Sequence, residues 1–188
     1  QRDFGNDDVY DYHATVLGGE LTFSCPVDEY QRVTLGVGLD STDININENI
    51  NTRPQVIDDF VEAAGSSYLT YNLTSRWRSN HLNSAFFPTN GHLNDLGLSV
   101  AVPGGDLSYY KMTYTGRMYQ PLDANETWVF GLKSRNGYAD TLNSNPYPFF
   151  QNFFAGGLRT VRGYANNSLG PRDGDDPLGG NVLLSGSA

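Results

Sequence analysis

Apolar and polar side chains alternate with a period of two through six stretches of the chain, and a seventh such stretch begins near its end. Alternation of this kind sends successive side chains to opposite faces of an extended backbone, so each stretch predicts a β-strand with one apolar and one polar face. From Tyr12, YHATVLGGELTFSC sets Leu17, Leu21, Phe23 and Cys25 among Thr15, Glu20, Thr22 and Ser24. RVTLGVGLD repeats the pattern with Val33, Leu35, Val37 and Leu39, and YLTYNLTSRW with Leu69, Tyr71, Leu73 and Trp77. HLNDLGLSVAV carries Leu96, Leu98, Val100 and Val102. In YYKMTYTGRMYQ, Tyr110, Met112, Tyr114 and Met118 oppose Lys111, Thr113, Thr115 and Arg117; in WVFGLKSRNGY, Trp128, Phe130 and Leu132 oppose Lys133 and Arg135. GGNVLLSGSA opens the seventh strand.

The connections alternate in length. PVDEY, FFPTNG and QPLDANE are compact and rich in turn residues, whereas Asn45 to Ser67 and Asp140 to Gly180 are long, with VPGGDLS as a short exception on that side. Strands running up and down between tight turns at one end and elaborate loops at the other are the pattern of a transmembrane β-barrel, whose strands need about 9–11 tilted residues to cross a bilayer. Alternation by itself suits a soluble sandwich as well. The loop asymmetry, and the Tyr and Trp near strand ends where an aromatic girdle belongs, favour the membrane. Within the first long loop, TRPQVIDDFVEAAG has the punctuation of a short helix: Thr52 as cap, Pro54 in the first turn, Asp58 and Asp59 early, and Gly65 as the stop. Its apolar stripe of Val56, Ile57, Phe60, Val61 and Ala64 predicts packing on neighbouring loops.

Composition agrees with an all-β, antiparallel chain: 21 Gly, 12 Tyr and 10 Phe in 188 residues. No apolar run reaches the roughly 18 residues of a membrane-spanning helix, which leaves strands as the means of crossing. Twelve Lys and Arg against 21 Asp and Glu give a net charge of −9, which would repel a phosphate backbone, so no nucleic-acid partner is expected.

Chemistry is sparse. The single cysteine, Cys25, allows no internal disulfide and is expected to be a small packed thiol. His13, His81 and His92 are dispersed in sequence without paired metal-ligand spacing. Asp173, Asp175 and Asp176 lack the remaining ligands of a calcium loop and read as a solvated acidic turn. With no nucleophile elbow, no Walker loop and no catalytic constellation, neither an enzyme nor a cofactor or metal site is expected.

The last long loop carries the specific signal. In PYPFFQNFFAGGLRTVRGYANNSLGP, followed by DPLGGN, an aromatic approach with Asn152 leads to Ala155-Gly156-Gly157, then Val161-Arg162-Gly163-Tyr164, then Gly170-Pro171, and Gly179-Gly180-Asn181 opens the next strand. This constellation resembles the outer-membrane assembly factors of the bacterial surface antigen superfamily; FFPTNG and VPGGDLSYYK resemble a turn and a strand entry of the same family, so the likeness runs from about Tyr12 onward. The resemblance implies a sixteen-stranded barrel preceded by periplasmic POTRA domains, which folds and inserts other β-barrel proteins into the outer membrane. The residues here would be about seven of those strands, six to twelve: a partial barrel segment over 1–188, with a helix-bearing extracellular loop at 45–67 and the VRGY loop at 140–180. In that family the VRG[FY] loop folds back into the lumen, and the acids that hold its arginine lie on wall strands beyond it. A guanidinium in a lumen needs acceptors, which makes Arg162, with Val161, Gly163 and Tyr164, the anchoring motif, and Gly156, Gly157, Gly170, Pro171, Gly179 and Gly180 its support. Implied partners are client outer-membrane proteins, assembly lipoproteins and the bilayer. As a 188-residue species the chain is expected to be inactive, and to pair through its open strand edges into a homo-oligomer. A polypeptide-transport pore of the two-partner secretion type in the same superfamily also bears a VRGY loop, and five POTRA modules rather than two would separate assembly factor from exporter. A porin, a receptor or a barrel enzyme with an accidental tetrad is the further alternative.

Overall fold

The structure is a computed structural model that describes residues 12–46, 60–62, 65–143, 145–158, 160–173 and 176–188. Its main feature is one seven-stranded antiparallel sheet in strict chain order: β1 (Tyr12–Pro26), β2 (Gln31–Ile46), β3 (Ser67–Asn80), β4 (Gly91–Ala101), β5 (Tyr109–Pro121), β6 (Val129–Thr141) and, after the long loop, β9 (Val182–Ser187). A two-residue hairpin, β7 (Arg172–Asp173) with β8 (Asp176–Pro177), lies inside that loop and was not foreseen from the sequence. Neighbouring strands of the sheet follow in chain order, with the β7–β8 hairpin of the loop falling between β6 and β9, which is the up-and-down order of a barrel wall.

Alternation sorts the two faces as the sequence predicts. Leu17, Leu21 and Phe23 of β1, Leu35, Val37 and Leu39 of β2, Leu96 and Leu98 of β4, Met112 and Met118 of β5 and Phe130 and Leu132 of β6 project from one face and are all exposed. A contiguous apolar face of this extent is incompatible with water and fits lipid. An outward polar group in such a setting needs a partner: Asn94 receives one from the Tyr114 hydroxyl at 2.9 Å, the ring lying over Gly116, where a Cβ would meet the phenol oxygen at 2.8 Å. Cys25 departs from expectation. It is exposed on this outward face rather than packed, because that face meets no other part of the chain.

The opposite face is polar. Arg76 places Nε 2.7 Å from Asp95 Oδ1 and Nη2 2.6 Å from Oδ2, and Arg78 Nε donates to Oδ2 at 2.7 Å. Asp95 is the direct register partner of Arg78, while Gly97 opposite Arg76 leaves space for the fork to reach across. Nearby, Thr74 donates to Glu20 at 2.6 Å and Asn72 to Asp40 at 2.5 Å.

Side-chain acceptors organise the short turns. Asp28 Oδ1 takes the Tyr30 and Gln31 amides, both at 2.7 Å, and Asn83 Oδ1 takes those of Thr89 and Asn90. Asp123 Oδ1 takes the Trp128 amide at 2.8 Å, and this bond, with others from the same turn, holds the Asp123 carboxyl below the usual carboxylate range. Exposed Val27, Tyr30, Phe86, Phe87, Leu122 and Trp128 rim this end of the sheet as a girdle would. His81 and His92, across the β3–β4 turn, meet there with tilted rings whose centroids lie 4.8 Å apart, and Tyr30 stacks on His81.

The buried core sits at the other end. Ala14, Ile44, Tyr68, Ala101 and Tyr109, at strand ends on the polar face, join Phe60, Leu107 and Phe149 from the three loops above. Phe60 is edge-on to Phe149 at 5.5 Å and to Phe150 at 6.1 Å. The Gly65 amide closes a helical turn on Val61 at 2.8 Å, and residues 60–62 are helical. The predicted cap Thr52, Pro54, Val56, Ile57, Asp58, Asp59 and Ala64 lie outside the described residues, as does Asp175.

Removing the shared acid tests the polar wall. Asp95→Ala is expected to lower stability by about 1–2 kcal/mol, the half-exposed arginines regaining water and so limiting the loss. A shift of the denaturant midpoint of the full-length protein in micelles measures it; an unchanged midpoint would show that the cluster contributes nothing.

Candidate functional site: the loop folded on the inner wall

The chain between β6 and β9 turns back over the polar face instead of away from it. Its entry, Tyr147 to Gln151, is fixed by aromatic contacts: Tyr147 meets Tyr109 edge-on at 5.6 Å, and burial pushes the Tyr147 phenol above its usual range. Lys111 on β5 then donates to the Gln151 carbonyl at 2.7 Å and stands 4.6 Å above the Phe153 ring. Phe153 occupies the space over Gly137 of β6, where a Cβ would lie 2.5 Å from the ring. A glycine in mid-strand here provides a seat for a ring from the loop.

Beyond Phe153 the loop is bonded to itself and to its return limb. The Phe153 and Gly180 amides exchange bonds with each other's carbonyls at 2.8 and 3.0 Å, and Asn152 donates to Leu178 at 2.9 Å. Leu169 bonds back to Ala155 at 3.0 Å, and Ala139 of β6 bonds to Asn181, starting the β6–β9 ladder. Gly156 and Gly157 both have positive φ, 112° and 88°, and the returning segment crosses so close that a Cβ would meet Ala165 O at 2.3 Å or Asn166 Oδ1 at 2.0 Å. Only glycine serves there. The Thr160 hydroxyl seals the turn, accepting from the Gly156 amide and donating to the Gly156 carbonyl, both at 2.8 Å.

The tetrad forms the tip. Gly157 bonds to the Tyr164 carbonyl at 3.1 Å and bridges Val161, which brings Gly156, Gly157, Val161 and Tyr164 together. Val161 and Arg162 line a concavity against β5, β6 and β9. Arg162, Gly163 and Tyr164 are exposed, and among the described residues the Arg162 side chain has neither a hydrogen bond nor an ion pair. Gly170 and Pro171 sit farther out, where the Leu178 amide bonds to Pro171, and Gly179 and Gly180 lie beside Asn152 and Phe153 at the return. Lys111, Gly137 and Phe153 escaped the reading of the sequence, because nothing local marks a mid-strand lysine and glycine as the seat of a ring sixteen residues beyond that glycine. Among the described residues no group of three His, Cys, Asp or Glu is placed to hold a metal ion.

An up-and-down sheet, apolar outside and polar inside, with its longest loop folded on the inner face, is a wall segment of a transmembrane β-barrel. The particular family follows from comparison: residues 3–188 match the Omp85 superfamily domain, and the chain belongs to that superfamily. It is 32% identical over 195 aligned residues, 96% of its own length and 24% of the relative's, to the outer membrane protein assembly factor BamA of Neisseria meningitidis serogroup B. A SAM50-like protein of Schizosaccharomyces pombe is 30% identical over 62% of the chain and 24% of the relative. The crystal structure of BamA from Haemophilus ducreyi lacking POTRA domains 1-3 superposes with a TM-score of 0.85 at 26% identity, over 93% of this chain and 36% of that one. The chain thus spans about a quarter of the length of the curated relatives it matches. Its place is the bacterial outer membrane.

Filling the seat tests the anchor. Gly137→Val is expected to eject Phe153, cost about 1–3 kcal/mol and open residues 152–170 to protease in the full-length protein. An unchanged cleavage pattern would show that the loop is held by other means.

Proposed function

We propose that this chain is part of the wall of a machine that folds and inserts β-barrel proteins into the outer membrane, and that its long loop is a structural lever of that machine. The observation that carries the reading is the VRGY loop held against the inner wall by Phe153, Gly137 and Lys111, in a chain of the Omp85 superfamily whose relatives are named for assembly and sorting. The chemistry is non-covalent. Client strands would gain backbone partners while the bilayer around the wall is perturbed, so no nucleophile, cofactor or metal enters. Client outer-membrane proteins, assembly lipoproteins and the lipid bilayer are the partners of the full-length protein.

Reconstituted into liposomes, the full-length protein is expected to insert an unfolded client barrel, and Arg162→Ala to slow that insertion severalfold with the barrel still folded. The 188 residues alone should insert nothing. Insertion at the full rate by the variant would remove the loop from the mechanism, and insertion by the 188-residue chain would remove the need for the rest of the barrel.

Among the described residues, β1 and β9 each pair on one side only. As an isolated species the 188-residue chain should therefore join edge to edge into a homo-oligomer, with a light-scattering mass in micelles that is a multiple of 20.7 kDa after correction for detergent. A monodisperse monomer would contradict this.

A further inference from the structure

Several positive charges of the inner wall are answered by partners, and a separate group is not. Lys111 is bonded to Gln151 and covers Phe153, while Arg76 and Arg78 converge on Asp95. On the short-turn half of β5 and β6, Arg117 and Lys133 stand directly opposite each other in the ladder, and Arg135 follows two residues along, opposite Thr115. These three line an open concavity of about 900 Å³ with Ser185 and Ser187 of β9, bordered by Arg162 of the loop. Among the described residues no Asp or Glu lines it, and none of the four cations forms an ion pair.

Like charges directly opposite on neighbouring strands destabilise a sheet. Yet a chain with 21 acidic residues and only 12 Lys and Arg gathers four of the latter here with no described Asp or Glu among them. We propose that this part of the wall is a docking surface for an acidic polypeptide segment carrying several Asp or Glu side chains. Guanidinium forks take carboxylates in pairs and the ammonium adds a point charge. A segment fits better than a single small anion because the charges are distributed. Lys133 and Arg135 are two residues apart on one strand, about 7 Å, the same repeat at which an extended peptide presents alternate side chains. Approach is from the short-turn end: Arg117 and Lys133 lie four register steps from the Pro121–Val129 pair, whereas the aromatic cluster covers the other end. The family resemblance already implies acids on later strands as partners of Arg162, so the inference stands on Arg117, Lys133 and Arg135. It rests on the barrel reading above for the lumen, and not on insertase activity.

The test is fluorescence anisotropy with labelled hexaglutamate, and hexaglutamine as control, on the full-length protein in micelles at low salt. Hexaglutamate should bind saturably and hexaglutamine should not. Arg117→Gln with Lys133→Gln should weaken binding about tenfold or more, while Lys133→Arg preserves it. Circular dichroism and heat-modifiable mobility establish that each variant is folded, and Arg117→Gln alone serves if the pair does not fold. Lack of hexaglutamate binding, binding indifferent to these substitutions, or displacement by an equal concentration of inorganic phosphate would overturn the proposal. Client insertion measured on the same preparations tests the insertase reading separately.

Discussion

Lipid offers no partner for a backbone amide or carbonyl, and that constraint governs this structure. Each strand must complete its hydrogen bonds with its neighbours, so the chain is laid down as a continuous antiparallel ladder from β1 to β9 in sequence order. Once the ladder is fixed, the period of two decides the rest. Leu21, Leu35, Leu96 and Met112 go outward and Glu20, Arg76, Asp95 and Lys111 inward, reversing the arrangement of a soluble protein. The sheet therefore has no core of its own along most of its length. Among the described residues the buried apolar cluster sits at the loop end, where Phe60, Tyr68, Tyr109 and Phe149 meet over the polar face.

That cluster and the loop it leads into are one device. Phe149 and Phe150 bring the chain in from above, Gln151 and Phe153 tie it to Lys111 and Gly137, and the crossed strands at Gly156 and Gly157 carry Arg162 down to the middle of the wall. The outward apolar face anchors the segment in the bilayer while the inward face keeps a polar surface on which a polar loop can lie. Neither would work without the other.

The strands, their faces and the contrast between turn end and loop end were legible from the sequence because period-two alternation records them directly, as where Val33, Leu35, Val37 and Leu39 recur at every second position of one strand. The VRGY loop was legible as a motif. Its seat was not, because Phe153 over Gly137 depends on how a loop lands on a strand, and no local pattern encodes that landing. For the same reason His81 and His92 read as unrelated residues until the turn between β3 and β4 brought their rings together. Cys25 was misplaced by a rule from soluble proteins, where a small thiol packs inward; on a lipid-facing surface the same apolar character sends it out.

The attachments differ in strength, and the difference bears on mechanism. The β1–β2 ladder alone runs through fifteen register pairs, from Tyr12–Ile46 to Pro26–Arg32. Between its aromatic entry on Tyr68 and Tyr109 and its return at Asn181, the hold of the loop's described residues on the wall is one ring on one glycine, one ammonium on one carbonyl and one cation–π contact, the latter two worth about 1–2 kcal/mol each. A perturbation of a few kcal/mol can therefore lift the loop while the wall stays intact, whereas separating two of these strands requires breaking a whole ladder. In a wall built this way the loop is the part that can change position, and Lys111 and Phe153 set how easily it does so.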